Sequence, residues 1–307
     1  MISMVERRRI AQWIDENRES ILSWTQDVLR VPSVLNRDDA GPGKPFGQPC
    51  ATVLDRALAI CERNGMRVRN FDGYAGHAEF GPEDAPEYIA VLGHLDVVPT
   101  GTGWSKDPWG GEISDGWIWG RGALDDKGPT MAALAGALAV KELGLPLHHR
   151  VRLIFGCDEE NEWRCMEHYF GTAGQAKPKM GFTPDAGFPL YFAEKGALTA
   201  VLERPLDVTW LKRFQSGLAA NMVPADAEAE VAVTQRMAPS NLSYLNVDAT
   251  ASGALWRATG QSAHGATPAA GRNAAVRLAM ALRRIGPSDA LDQLILVARI
   301  DGSGLGL

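Results

Sequence analysis

A histidine and several carboxylates, side chains suited to metal chemistry, follow apolar runs between residues 91 and 160. His94 and Asp96 end the first of these runs, just before Pro99. Residues two apart on a strand point to the same face, so the Asp96 carboxylate can support the imidazole of His94 or share its site. Taken alone, a His-x-Asp pair is a weak signal, because a locally hydrogen-bonded histidine beside a turn-forming aspartate gives the same pattern.

A second acidic segment, Asp125-Asp126, directly precedes an apolar helical stretch. Acids at a helix N-terminus interact favourably with the helix dipole without having any further function. A glycine on each side of the pair, Gly122 and Gly128, nevertheless lets the backbone approach another group closely. One of two adjacent aspartates can also bridge two cations. This segment is therefore a candidate for metal binding.

A third acidic segment, Asp158-Glu159-Glu160, ends the apolar run at residues 151–157. Most charge runs are solvated turns, but adjacent glutamates at a buried strand end repel each other unless a cation or a proton intervenes. A metal partner for one and a base role for the other would be chemically reasonable. Asp185, after a proline-stiffened turn, adds another carboxylate. Together these residues predict a metal site at the ends of buried strands.

The elements that must position these residues alternate along the first part of the chain. Apolar periodicity predicts helices at residues 5–29, 50–64, 129–143 and 163–170. Strand-like runs occur at residues 67–71, 77–80, 88–94 and 151–157, and Asp115-Gly116 marks a hairpin turn. This alternation predicts an α/β structure with a largely parallel sheet, in which ligands bind beyond the carboxyl ends of the strands.

The pattern changes near Gly196, where we place a domain boundary. Shorter, polar-alternating strands are predicted at residues 197–202, 228–233 and 254–259, followed by a helix at residues 274–285 that is capped near Asn273. We therefore predict two domains, residues 1–196 and residues 197–307, the second of α+β type.

Composition restricts the class of protein. The chain has 307 residues, of which 45% are hydrophobic and 22% charged, as is ordinary for globular proteins. Its net charge of -6 argues against nucleic acid or an anionic membrane as a partner. No apolar run reaches the roughly 20 residues that span a bilayer, and we find no secretion signal. Four cysteines without a CxxC pair fit a cytoplasmic protein with reduced thiols.

Several motifs in this order carry a family resemblance. They are Gly-His-Leu-Asp-Val-Val-Pro (93–99), the segment at 104–111, Gly-Arg-Gly-Ala-Leu-Asp-Asp-Lys-Gly-Pro-Thr (120–130), Asp-Glu-Glu (158–160), Cys-Met-Glu-His-Tyr-Phe (165–170) and Gly-Phe-Thr-Pro-Asp (181–185), extending through Glu-Lys-Gly (194–196). The chain resembles, over essentially its whole length, the M20 family of dinuclear metallopeptidases, and within it the bacterial PepV/Sapep-like branch of Xaa-His dipeptidases. The resemblance implies a zinc-exopeptidase-like catalytic domain with an α+β lid domain.

The resemblance also implies a site with two divalent metal ions. His94 and Asp185 would bind one ion, Asp125 would bridge the two ions, and Glu160 would bind the second. Zinc is the expected metal, and manganese or cobalt also suits a carboxylate-rich site. Two cations about 3.5 to 4 Å apart lower the pKa of a bridging water and polarise the scissile carbonyl.

Roles for the remaining residues follow from the same resemblance. Glu159 would be the general base, which takes the proton of the water and returns it to the leaving amine. Asp96 would orient His94. In the lid, Asn221 would contact substrate, and His264 would bind substrate and stabilise the tetrahedral oxyanion.

One family feature has no counterpart in the sequence. The family has a further metal-ligand histidine after the lid, whereas no histidine follows His264. We therefore expect a chain truncated at its carboxyl terminus, with low or no peptidase activity on its own. A separate carboxy-terminal fragment or a homo-oligomer would then be its protein partner.

The leading functional hypothesis is hydrolysis of dipeptides or short peptides by two-metal activation of water. An alternative within the same family is deacylation of N-acyl-amino acids, which a panel of dipeptides and acyl-amino acids would distinguish. A third hypothesis is a non-catalytic metal-binding remnant. It predicts at most one tightly bound ion per chain and no turnover even with Glu159 intact.

Overall fold

The computed structural model describes residues 3–299 except 102, 188, 194, 195, 197, 199, 204 and 233–241. The chain divides into two compact units, Met1–Glu194 and Lys195–Leu307. Each unit has its own hydrophobic core. The motif residues Glu194 and Lys195 and the stretch 301–307 lie outside the described residues.

The first unit is built on a five-stranded sheet with the strand order β1-β2-β6-β3-β7. The strands of this unit are β1 (Arg67–Phe71), β2 (Ala75–Phe80), β3 (Tyr88–His94), β4 (Glu112–Ser114), β5 (Trp117–Trp119), β6 (Arg150–Gly156) and β7 (Met180–Phe182). Strands β4 and β5 form the predicted hairpin, as a separate two-stranded sheet. The α/β class is confirmed.

The sheet is mixed, whereas the sequence predicted a largely parallel one. Strand β3 pairs in parallel with β6 and β7, but β2 pairs antiparallel with both β1 and β6. The antiparallel half arises because a tight turn at Asp72 and Gly73 joins β1 to β2 and reverses the direction of the chain. The parallel half carries the predicted ligands.

Pairing of β3 with β6 brings the predicted metal ligands that follow these strands to one edge of the sheet. His94 lies opposite Gly156 in the parallel register, so the segments that follow both strands leave the sheet side by side. Buried apolar side chains such as Val91 and Leu153 hold this pair in the core. A Cβ atom on Gly93 would lie 2.0 Å from the Thr130 hydroxyl. A glycine is therefore required here for the following helix to pack closely on β3.

The helices of the first unit are α1 (Met4–Glu16), α2 (Arg18–Leu29), α3 (Gln48–Arg63), α4 (Lys127–Glu142) and the short α5 (Arg164–Glu167), which continues as a π-helical turn, His168–Thr172. The single helix predicted at residues 5–29 is wrong, because the chain leaves helical geometry at Asn17. The backbone N–H and the side-chain amide of Asn17 both donate to the Trp13 carbonyl, at 3.0 and 2.8 Å. An asparagine that bonds nearby backbone in this way competes with helix continuation.

The second unit contains a four-stranded antiparallel sheet with the order β11-β12-β10-β8. Its strands are β8 (Leu211–Ser216), β9 (Met222–Val223), β10 (Asp226–Val231), β11 (Leu245–Thr250), β12 (Gly253–Thr259) and β13 (Ala263–His264), and its helices are α6 (Ala274–Leu282) and α7 (Asp289–Arg299). Trp256 and Leu278 are fully buried in its core. The Asn273 side chain accepts the Val276 N–H, as expected of a cap.

One strand predicted for the second unit does not form. Residues 198 and 200–202 are not in a strand, and residues 197 and 199 of the same stretch lie outside the described part of the chain. Among the helices of the described ranges, none is long and apolar enough to cross a lipid bilayer.

Candidate metal centre

His94 ends β3 and is only 3% exposed. Its Nδ1 lies 3.0 Å from the backbone carbonyl oxygen of Asp96. Its Nε2 lies 3.1 Å from Asp125 Oδ1, 3.5 Å from Asp185 Oδ2 and 3.9 Å from Glu159 Oε2. A proton on Nδ1, donated to that carbonyl, leaves Nε2 directed at the carboxylates as a metal donor.

The structure brings all four sequence-predicted ligands together. Two groups of ligand atoms, each within 4.8 Å of one another, are formed by His94, Glu159 and Asp185 and by His94, Asp125 and Glu160. They come from the ends of three neighbouring parallel strands and from the turn before α4. Glu159, predicted as the base, therefore also lies at ligand distance in the first group.

Asp96 is completely buried and holds the acidic turn in place. Its Oδ1 accepts the backbone N–H of Glu159 and its Oδ2 accepts that of Glu160, both at 3.1 Å. Its Oδ1 is also 3.5 Å from His94 Nδ1, farther than the Asp96 backbone carbonyl. One carboxylate thus fixes the backbone from which both glutamate side chains project.

Asp126 is a buried residue of the site that the sequence reasoning did not assign. Its Oδ2 accepts the backbone N–H of His94 at 3.1 Å and the hydroxyl of Thr130 at 2.8 Å. Its Oδ1 is buried without a hydrogen-bond partner in the described part of the protein. The signal was present in the sequence, because an aspartate and a threonine four residues apart at a helix start share one face.

Burial and mutual repulsion disfavour the ionised carboxylates of the cluster. Burial raises the pKa of Glu159 to about 7, and burial together with the nearby Asp125 carboxylate raises that of Glu160 to about 8. Burial alone would lower the pKa of His94, but its contacts with Asp125 and Asp185 raise it well above the ordinary range. In the free protein, protons therefore occupy a site whose oxygen-rich donors and single imidazole suit a divalent cation.

This charge pattern predicts how pH affects the metal-free protein. The two glutamates have an ordinary pKa of 4.5 in the unfolded chain, and the fold raises both values. The unfolded chain therefore loses these protons first, so their contribution to the free energy of unfolding declines from about pH 4.5 to about pH 8. Urea denaturation of metal-stripped protein across this range measures the effect.

The matched variant for this experiment carries both Glu159→Gln and Glu160→Gln. Because amides do not titrate, the variant should become more stable relative to wild type as pH rises. A stability difference that stays constant from pH 5 to pH 8 would contradict the pKa shifts.

Two other predicted site residues, Asn221 and His264, lie together in the second unit. Strand β13 pairs with β9, and the Gly265 N–H donates to the Asn221 carbonyl at 2.6 Å. His264 is exposed, and its Nδ1 accepts the Ala266 N–H at 3.1 Å. In the neutral ring, Nε2 then carries the proton and can donate a hydrogen bond to a ligand.

Comparison with known proteins identifies the family. The model of peptidase family M20/M25/M40 matches residues 90–289, a range that contains every residue described in this section. The chain belongs to this peptidase family. The family predicted from the motifs is thus confirmed.

Two curated relatives of this M20 chain carry a provisional assignment as dipeptidases. YtjP of Bacillus subtilis (strain 168) is 49% identical over 220 residues, which are 70% of this chain and 47% of that protein. A Staphylococcus saprophyticus protein is 36% identical over 282 residues, 86% of this chain and 59% of that protein. The chain thus spans about half the length of the curated relatives it matches.

Two solved structures of peptidases are also similar. Human carnosine dipeptidase 1 matches with a TM-score of 0.46 and 24% identity, over 55% of this chain and 38% of that one. The M20 family metallo-carboxypeptidase Sso-CP2 from Sulfolobus solfataricus matches with a TM-score of 0.44 and 21% identity, over 54% and 37%.

Proposed function

We propose that the protein hydrolyses dipeptides or other short peptides, using two divalent metal ions and an active-site glutamate. The observation that carries the proposal is the convergence of one imidazole nitrogen with carboxylates from three further segments, in a chain of the M20 family. The dipeptidase assignment of the relatives supports short peptides as the substrate class. The four cysteines, none in a disulfide, support a cytoplasmic location.

The donor set supports one assignment of the two ions. His94 and Asp185 would hold the first ion, Asp125 would be shared between both, and Glu160 would hold the second. Zinc is the expected metal, with manganese or cobalt as substitutes for the same oxygen-rich donors. When bound, such ions polarise a carbonyl group and lower the pKa of water.

The protein's own residues would move the proton. The Glu159 carboxylate would accept a proton from water and pass it to the leaving amine. In the metal-free protein, burial raises the pKa of this carboxyl to about 7. Asp96 holds the Glu159 backbone, so the side chain would act from a fixed point of the turn. A substrate contact of Asn221 and stabilisation of the oxyanion by His264 are parts of the same proposal, supported for His264 by its available Nε2 donor.

Metal content and substrate preference test this proposal together. Protein stripped of metal and reloaded with zinc, manganese or cobalt should bind two ions per chain. At the low rate expected of this chain on its own, it should hydrolyse dipeptides faster than N-acyl-amino acids. His94→Ala should lose at least one ion and the activity, because His94 contributes to both ligand groups. His148→Ala, which changes an exposed histidine, is the matched control.

Three results would contradict the proposed dipeptidase function, and each would indicate a different alternative. Preference for acyl-amino acids would assign the chain to deacylation. A single bound ion without turnover would identify a metal-binding remnant. Turnover that survives both chelation and His94→Ala would contradict a metal-dependent mechanism.

A further inference from the structure

A surface cavity of about 600 Å³ lies in the first unit. It is formed by the loop at residues 40–45, the turn at Asp72 and Tyr74, and the side chains of Arg164 and His168. None of the described metal-ligand candidates lines it. Its volume lies within the range of small-molecule sites.

The walls of the cavity are held by close backbone contacts. Gly41 and Lys44 exchange two backbone hydrogen bonds, at 3.0 and 3.1 Å, which close the loop. A Cβ atom on Gly73 would lie 2.1 Å from the Gly43 carbonyl oxygen, so the turn and the loop are packed directly against each other. The cavity is therefore formed before a ligand arrives, which lowers the entropic cost of binding.

Arg164 brings a positive charge to the cavity, and the Asp158 carboxylate lies within range of its electrostatic attraction. Within the described residues, its guanidinium makes no hydrogen bond and no ion pair within 4 Å. It lies 5.7 Å from the Phe46 ring and 5.9 Å from the Tyr74 ring. Its backbone N–H, in contrast, is bound to Asp158 at 3.1 Å. The guanidinium thus has donors free for a planar anion such as a carboxylate or a phosphate.

Tyr74 supplies a second free donor. Its ring stacks on the His168 ring, with centroids 4.1 Å apart and planes 9° from parallel. The Nε2 atom of His168 lies 3.1 Å from Asp72 Oδ2, which holds the stack in place. The Tyr74 hydroxyl has no hydrogen-bond partner in the part of the chain that the structure describes. It is therefore available beside the guanidinium.

The charges at the cavity favour an anion over a cation. Asp72 is its one acidic lining residue, 78% exposed and already engaged by His168. Lys44, in the same loop, is paired with Asp39 at 2.6 Å. A metal ion would meet one carboxylate and the repulsion of Arg164, whereas an anion would meet two unused donors.

We propose that this cavity is a binding site for a small anion that carries a carboxylate or a phosphate group. The Arg164 guanidinium binds the anionic oxygens, and the Tyr74 hydroxyl donates an additional hydrogen bond. A free amino acid derivative and a phosphorylated metabolite share this chemistry. Its lining residues are different from the residues proposed as metal ligands.

Isothermal titration calorimetry of the metal-free protein tests the site with two probes, inorganic phosphate and N-acetylglycine. We expect saturable binding of at least one probe, and the probe that binds identifies the source of the anion. Arg164→Gln should weaken binding roughly 10- to 100-fold, because hydrogen bonds to a charged group are lost. Tyr74→Phe should weaken it by a smaller, severalfold factor.

Two further variants make the result decisive. Arg164→Lys keeps the charge without the planar fork and should give an intermediate affinity. Arg18→Gln changes an exposed arginine at the start of α2 and should bind as wild type does. Circular dichroism confirms that each variant is folded. Absence of saturable binding for both probes, or equal affinity in folded Arg164→Gln, would overturn the proposal. Because no metal or peptide is present, failure here leaves the proposed hydrolase function untouched.

Discussion

Glu159→Gln is expected to lower kcat for dipeptide hydrolysis by roughly 10²- to 10⁴-fold, the usual contribution of a general base. The amide keeps the size of the side chain but cannot accept the proton from water. The backbone hydrogen bond from residue 159 to Asp96 is unaffected by the change, so the acidic turn should stay in place. Steady-state kinetics with metal-loaded protein measures the loss.

The metal content of the same variant distinguishes two roles for Glu159. The structure groups its carboxylate with His94 and Asp185 at ligand distance. A general base predicts that the variant still binds two ions, whereas a metal ligand predicts the loss of one. Glu162→Gln, which changes an exposed glutamate paired with Arg37, is the matched control. A Glu159→Gln protein with nearly normal kcat would exclude the proposed base.

Asp96→Ala is expected to have the largest effect on stability of any single change at the site. It leaves the buried carboxylate's two backbone donors, the N–H groups of Glu159 and Glu160, without acceptors. Each unsatisfied donor costs roughly 1 to 3 kcal/mol, so the free energy of unfolding should fall by about 2 to 6 kcal/mol. Metal affinity should fall by about 10- to 100-fold, because both glutamates lose their positioning. Urea denaturation and metal titration measure the two effects.

Asp96→Asn is the conservative comparison. It retains one oxygen acceptor and places an amide N–H₂ near the other donor, so both losses should be smaller than with alanine. Asp38→Ala, at an exposed aspartate, controls for the loss of one negative charge. If folded Asp96→Ala binds metal as tightly as wild type, Asp96 is purely structural.

Local signals predicted individual elements better than their arrangement. Strands β1 and β3 form at the predicted residues, because their sequences are strand-like runs bounded by breakers. The break at Asn17 was missed, since amphipathic periodicity continues on both sides of it. Antiparallel pairing of β2 with β6 could not be inferred, because it joins residues far apart in sequence and leaves no trace in either strand's own pattern.

The site was predictable in its ligand types and less so in its supporting contacts. His94 and the carboxylates were recognisable because each follows an apolar run or precedes a helix, and the structure places them together. The double acceptor role of Asp96 depends on the β3–β6 register, which determines which backbone N–H groups it meets. The anchoring of His94 by Asp126 likewise depends on close packing of α4 at Gly93.

The parallel register of β3, β6 and β7 has a consequence for how the first unit is held together. The proposed ligands, from His94 to Asp185, belong to segments that meet only when these strands are paired. The four cysteines form no disulfide, so no covalent cross-link joins these segments. An ion bound at the strand ends would instead join them by coordination. Such a removable cross-link closes several long loops at once and stabilises the folded state by mass action.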